Sequence, residues 1–342
     1  MERRKMKKKG FTLVELLVVI AIIAMLLAIL MPALGKVRQL AQRIMCSTNL
    51  SGLGKAMLTY SNDDKYESFP IAGASGSYWN TGASSTAGTC SWDWRISTFV
   101  NTATPGYATI SSCLYLLVKI ADTTPEQFIC PGSDNKKFDL ANYSLHSSYS
   151  TATFTDVWDF GRKSDAKASY TMGKGHNTYS YQLPLPIRTG QTAYPISTTS
   201  NPAKAVMADR NPYWQYGVTA YLYTINTSSS KVYDDSITNG NNTYHQKEGQ
   251  NVLYADNHAK FEKTANCAIS QDNIYTCWNT ATLSSTDSDQ RRMGGTSATG
   301  TIASTTSSSS IECGPIATMQ STTSYRPQND EDNYLVSDVD NY

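Results

Sequence analysis

Residues 11–34 read FTLVELLVVIAIIAMLLAILMPAL and follow MERRKMKKKG at residues 1–10. Within them, residues 16–31 hold no charged or polar side chain. As a helix, residues 11–34 span about 36 Å, enough to cross a hydrocarbon core of about 30 Å. Residues 1–10 carry six Lys or Arg and one Glu. That is +5 against +1 for the whole chain, so the rest is net acidic by four. A basic flank before an apolar span predicts a cytoplasmic N-terminus and an exported remainder. Glu15 stands out, because a carboxylate inside such a run is costly without a partner.

Three readings compete for this stretch. A secretory signal peptide needs a shorter apolar run and a small-residue cleavage site. Here the run is longer and continues into GKVRQLAQRIMCSTNL. A plain membrane anchor fits the length and leaves Glu15 unexplained. The third reading starts from KKKGFTLVELLVVIAIIAMLLAILMPAL, which resembles the leader and N-terminal helix of type IV pilins and type II secretion pseudopilins. The resemblance implies cleavage by a prepilin peptidase between Gly10 and Phe11, and N-methylation of Phe11. Glu15 matches the family's acidic residue, which pairs with the amino terminus of a neighbouring subunit. Pro32 matches its helix-kinking proline, and a proline removes a backbone donor so that a helix can bend there.

Residues 35–64 continue as an amphipathic helix. Val37, Leu40, Ala41, Ile44, Met45, Leu50, Leu53, Met57 and Leu58 fall near helical spacing. This face is expected to carry a sheet, and Asn62, Asp63 and Asp64 to end the helix. Beyond residue 70, Gly, Ser, Thr and Asn punctuate short Tyr- and Val-rich runs, a β-rich pattern with long loops. A short helix is expected at 111–121, strands at 168–183 and 203–209, and a hairpin at 250–262 turning through Ala255–His258. Residues 73–91 and the Ser/Thr/Gly-rich stretch 282–310 read as loops. The fold class is therefore α+β: a long N-terminal helix packed on an antiparallel sheet. The expected organisation is a leader at 1–10, a transmembrane and polymerisation helix at 11–34, an amphipathic helix at 35–64, and an exported body at 65–342. The stretch CSTNLSGLGKAMLTYSNDDKYESFP also resembles many large pilin-like proteins, and CPGSD, VMADRNPY and NVLYADNHAKF resemble a large-bodied subgroup of them with a C-terminal H-x9-D-G motif. The match is inexact: ten residues separate His245 from Asp256, and Asn257 stands where that motif has Gly. Asn tolerates left-handed backbone angles, so the turn can survive.

Net charge near zero and no broad basic surface argue against nucleic acid as a partner. No HExxH, GxSxG, Walker A or GxGxxG motif occurs, so no enzyme is expected. An exported body favours disulfides among the seven Cys. Cys90 with Cys113 and Cys267 with Cys277 close local loops. Cys130 with Cys313 follows by exclusion, which leaves Cys46 odd. Zinc is disfavoured because no C-x2-4-C pair exists. No cofactor is expected, with calcium the weak exception. The family resemblance admits Ca²⁺ on loop oxygens, for which Asp234, Asp235, Asp256, Asp287, Asp289, Asp330 and Asp332 are candidates, none at EF-hand spacing.

The resemblance implies a structural subunit, minor or specialised, of a type IV pilus-like or type II secretion pseudopilus filament. It sits single-pass in the bacterial inner membrane, with its body in the periplasm or in a surface filament. Its partners are prepilin peptidase, other pilin or pseudopilin subunits, membrane lipid and an assembly platform with a cytoplasmic ATPase. The alternative is a membrane-tethered glycan-binding module, with Trp79, Trp92, Trp94, Trp158 and Trp214 as stacking candidates.

Overall fold

The computed structural model describes residues 12–72, 78–79, 107–108, 110–138, 153–155, 160, 176–185, 192–212, 223–224, 241–275, 310–311 and 330–336. Helix α1 covers Leu13–Asp63 and α2 covers Ile110–Ile120. The strands are β1 Tyr78–Trp79, β2 Tyr107–Ala108, β3 Tyr179–Gln182, β4 Ala205–Asp209, β5 Tyr223–Thr224, β6 Gln250–Tyr254, β7 Ala259–Glu262, β8 Ser310–Ile311 and β9 Leu335–Val336. The chain forms two compact units, Met1–Gln42 and Arg43–Tyr342.

In the first unit every residue from Thr12 to Arg38 is exposed. Val and Ile are mediocre helix formers in water, but in an apolar medium the backbone must bond to itself. An uninterrupted helix does this, and α1 runs unbroken through Pro32. Among the described residues it is the one helix long and apolar enough to cross a membrane.

In the second unit, α1 buries Cys46, Leu50, Leu53, Gly54, Met57 and Ser61, one stripe at helical spacing. The buried stripe starts later than the sequence pattern implies, because Val37, Leu40, Ile44 and Met45 are all exposed. The helix ends as expected near Asn62–Asp64. The Asp64 N–H donates to the Tyr60 carbonyl at 3.2 Å. Its carboxylate accepts from the Tyr66 and Ser68 N–H groups at 3.0 and 3.1 Å and from the Ser68 hydroxyl at 2.7 Å. These bonds turn the chain out of the helix.

Five strands form an antiparallel sheet in the order β7-β6-β4-β3-β9. One face joins Leu50, Leu53 and Met57 of α1 and the buried face of α2 in a single core, with Tyr179, Tyr181, Met207, Leu253 and Val336 from the strands. The other face carries Ala205, Ala208, Val252, Tyr254 and Leu335 against Ala265, Ala268, Ile274 and Tyr275. Strands β3, β4 and β6 are consequently buried along their whole length. The strand at 203–209, the helix at 111–121 and the hairpin at 250–262 stand where expected. Within 168–183 only Tyr179–Gln182 is strand among the described residues. Strand β1 interrupts the expected loop at 73–91, pairing parallel with β2. Of the 282–310 stretch, all but Ser310 lies outside the described residues.

The hairpin tip packs on α1. Asn257 holds φ of 67°, the left-handed conformation expected of it. A Cβ built on Gly54 would lie 2.0 Å from Asn257 Oδ1 and 3.0 Å from Leu253 Cδ1. Gly54→Ala should therefore destabilise the body by about 1–3 kcal/mol through overpacking. Asn257→Gly, which suits the positive φ and removes the obstructing oxygen, should restore most of that loss. Denaturant unfolding of the two single variants and the double variant tests this, and simple additivity would refute the contact.

Candidate functional site

Thr12 and Glu15 close the N-terminal turn of α1 on each other. Glu15 Oε2 accepts from the Thr12 N–H and hydroxyl, both at 2.8 Å, and the Glu15 N–H donates back to Thr12 Oγ1 at 3.3 Å. This is a capping box, which satisfies N–H groups that a helix start leaves open. The carboxylate that looked unexplained in the sequence thus has a local partner in the single chain. The T-x-x-E pattern of residues 12–15 is the signal that would have revealed it. Oε1 takes no part in these bonds. Pro32 lies inside α1. Gly10 and Phe11 lie outside the described residues, as do Asp234, Asp235, Asp287 and Asp289.

A second constellation lies in the body. Cys46 on α1 and Cys130, after the turn Pro125–Phe128, form a disulfide with Cα atoms 5.4 Å apart. This corrects two expectations at once: Cys46 is not the odd cysteine, and Cys130 does not await Cys313. Sequence distance hid the pair, which is separated by 84 residues and joined only when α1 docks. Cys113 is buried, with its Sγ accepting the Ala72 N–H at 3.3 Å. Burial pushes the Cys267 thiol up to about 12, and its Sγ lies 3.6 Å from the Ala265 carbonyl. Their expected partners, Cys90 and Cys277, lie outside the described residues.

Asp209 and His245 stand against this disulfide. Asp209 closes β4, and His245 ends the short helical turn Thr243–His245. Asn242 caps that turn by accepting the Tyr244 N–H at 2.6 Å. Gln246 and Lys247 then hold positive φ, and Gly249 at φ 153° brings the chain into β6. A Cβ at Gly249 would meet the Glu262 carbonyl at 2.3 Å. His245 Nε2 lies 3.1 Å from Asp209 Oδ2 and 3.7 Å from Cys130 Sγ. Asn251 donates to Asp209 Oδ2 from its backbone at 2.7 Å and from its side chain at 3.1 Å. All four residues of the quartet are buried, and their ligand-type atoms lie within 4.8 Å of one another.

Asp256 and Asp330, two of the other acidic candidates, have other occupations. Asp256 accepts the His258 N–H at 3.1 Å and pairs with the His258 ring. Asp330 receives the buried Lys204 ammonium at 2.7 Å. Of the aromatic candidates, Trp92, Trp94, Trp158 and Trp214 lie outside the described residues, and Trp79 is described only as backbone of β1.

Residues 5–31 match a family model described as the prokaryotic N-terminal methylation motif. No curated protein and no solved structure matches the chain. The motif, the long apolar helix that follows it and the five-stranded antiparallel sheet fit a type IV pilin or pseudopilin.

Peptide mapping without reductant should recover residues 46 and 130 in one cross-linked fragment. Cys46→Ser should cost the body about 2–4 kcal/mol, the usual contribution of a disulfide closing a long loop. A fragment joining Cys130 to Cys313 would refute the assignment.

Proposed function

We propose that the chain is a structural subunit, minor or specialised, of a type IV pilus-like or type II secretion pseudopilus filament, and that its role is assembly rather than catalysis. The observation that carries this reading is the methylation motif at residues 5–31 heading a 51-residue helix. Prepilin peptidase cuts between Gly10 and Phe11 and methylates Phe11. The apolar segment holds the subunit in the bacterial inner membrane with its N-terminus in the cytoplasm and its body exported. An assembly platform with a separate ATPase then extracts it into the filament. The match of the body to the H-x9-D-G subgroup belongs to this same proposal.

The exposed apolar surface from Leu13 to Leu34 supports the reading, because such a surface is stable only in lipid or against like helices. The Thr12–Glu15 cap supplies a mechanism for the exchange. In the free subunit the carboxylate is held by its own helix start. In the filament the amino terminus of a neighbour competes for it and supplies the opposite charge that an apolar environment demands.

Mass spectrometry of protein from native membranes and sheared surface fractions should find a chain starting at N-methylated Phe11. Glu15→Ala should leave cleavage intact and lower incorporation into filaments roughly tenfold or more. Removing one partner of a buried ion pair leaves the other charge unpaired at a cost of about 3–5 kcal/mol, and each 1.4 kcal/mol is tenfold. An unprocessed chain in a host with active peptidase would refute the proposal.

A further inference from the structure

We propose that Cys46, Cys130, Asp209 and His245 form a redox-gated zinc site, closed as a disulfide when oxidised and able to hold one zinc ion when reduced. The inference concerns the body and does not depend on the filament reading.

Three observations carry it. The first is the donor set. Two sulfurs, one imidazole nitrogen and one carboxylate oxygen within 4.8 Å of one another make a complete four-ligand set for zinc. The second is spacing. Zinc bonds of about 2.0–2.3 Å in tetrahedral geometry place neighbouring ligand atoms ~3.3–3.8 Å apart. The Cys130 Sγ–His245 Nε2 edge is 3.7 Å and the His245 Nε2–Asp209 Oδ2 edge is 3.1 Å. The sulfur–imidazole edge is therefore already at its required length while the sulfurs are still bonded, and the Asp209 carboxylate lies beside the imidazole with Oδ1, the oxygen that Asn251 does not hold, as the one to bind zinc. The third is an orphan. Asp209 is fully buried, and its Oδ1 has no hydrogen-bond partner. A buried carboxylate oxygen without a donor is costly unless a proton or cation reaches it.

The surroundings match what a metal site needs around its ligands. Asn251 fixes the Asp209 carboxylate with two donated bonds to Oδ2. The Gly132 N–H lies 3.4 Å from Cys130 Sγ, where it supports negative charge on sulfur. Gly132 has no room for a side chain, since a Cβ there would meet the Tyr244 carbonyl at 2.8 Å. The ligands come from α1, from the turn after α2, from the end of β4 and from the loop before β6. Zinc would thus hold together in the reduced chain the same elements that the disulfide holds in the oxidised one.

The chemistry balances with a dithiol as reductant. The dithiol passes two electrons and two protons to the disulfide, leaving two thiols here and a disulfide on the reductant. Zinc then displaces the two thiol protons and is held by two thiolates, a neutral imidazole and a carboxylate. A disulfide-exchanging oxidant reverses the first step only after the metal has left, because coordinated thiolates are poor partners for exchange.

The test uses the full chain in detergent, oxidised or reduced with a non-chelating phosphine, and cobalt as a spectroscopic stand-in for zinc. Reduced protein should take up one cobalt per chain and show a thiolate-to-cobalt charge-transfer band, while oxidised protein should show none. His245→Gln and Asp209→Asn should each weaken uptake by roughly tenfold or more. Because either variant can disturb folding, alkylation of the wild-type reduced chain gives an independent reading. Zinc should slow modification of Cys46 and Cys130 at least tenfold and leave Cys267 unchanged, read by peptide mapping. Equal alkylation of Cys46 and Cys130 with and without zinc overturns the proposal. So does cobalt uptake that persists undiminished in well-folded His245→Gln and Asp209→Asn variants, which would place the metal on other cysteines.

Discussion

A single continuous helix has to satisfy two different solvents, and the rest of the architecture follows from that demand. From Leu13 to Arg38 the helix exposes its whole circumference, and from Leu16 through Leu34 that circumference is apolar. In hydrocarbon no water is present to bond a free N–H or C=O, so the backbone must close on itself and the side chains may all be apolar. From Cys46 to Ser61 the same helix shows only one buried stripe, because its remaining faces meet water. Switching from all-round to one-sided apolarity makes one element compatible with a membrane span at its start and one wall of a folded core further on. The Thr12–Glu15 cap belongs to the same demand, since it satisfies N–H groups that the start of the helix leaves open.

The body meets a different constraint. It is short of Phe and rich in Tyr, Asn, Ser and Thr, yet its central strands are buried on both faces. The structure resolves this by taking polar side chains inside and giving them backbone partners. Asn211 donates to the carbonyls of Tyr275 and Leu335 at 3.1 and 2.8 Å, bridging two segments. The Tyr275 hydroxyl donates to the Asp209 carbonyl at 2.7 Å. Asn333 accepts the Ala205 N–H at 2.8 Å and donates from its backbone and side chain to Asp272. Gln182 accepts the Tyr334 N–H at 2.8 Å and so tethers β9. Each bond adds only about 1 kcal/mol, but a buried group left alone would cost more. Such a network makes the last strand dependent on residues far away in sequence.

That dependence marks how far the sequence could be read. Features set by local rules were legible: the apolar span, the end of α1 at Asn62–Asp64, the helix at 111–121, and the 250–262 hairpin with left-handed Asn257. Features set by distant contacts were not. Helical spacing alone put Val37, Leu40, Ile44 and Met45 on the packed face, but a periodic pattern does not say where along a helix the partner begins. Cys46 looked solitary because it lies in a helix next to an apolar span, and its partner 84 residues away has no local signature. The zinc site proposed for this quartet has no sequence signature, because the spacing rule describes ligands on one knuckle and these four residues come from four separate elements.

The four motif-like segments of the body acquire a shared physical reason from this arrangement. CSTNL carries Cys46, CPGSD carries Cys130, VMADRNPY carries Asp209, and the loop that introduces NVLYADNHAKF carries His245. In the sequence the four residues span 200 positions, from Cys46 to His245, and nothing in their spacing links them. In the fold their functional atoms meet within 4.8 Å. The flanking residues serve the same meeting: Gly132 allows the close turn beside Cys130, Asn251 orients Asp209, and Gly249 lets the chain pass Glu262 on its way into β6. A plain disulfide would need the two cysteines and no particular residue opposite them. A buried aspartate and histidine set against that disulfide, with one carboxylate oxygen left unsatisfied, is an arrangement that structure alone does not require. The cost of keeping it in the interior is what makes it informative, because a purely apolar wall at the same place would stabilise the body more simply.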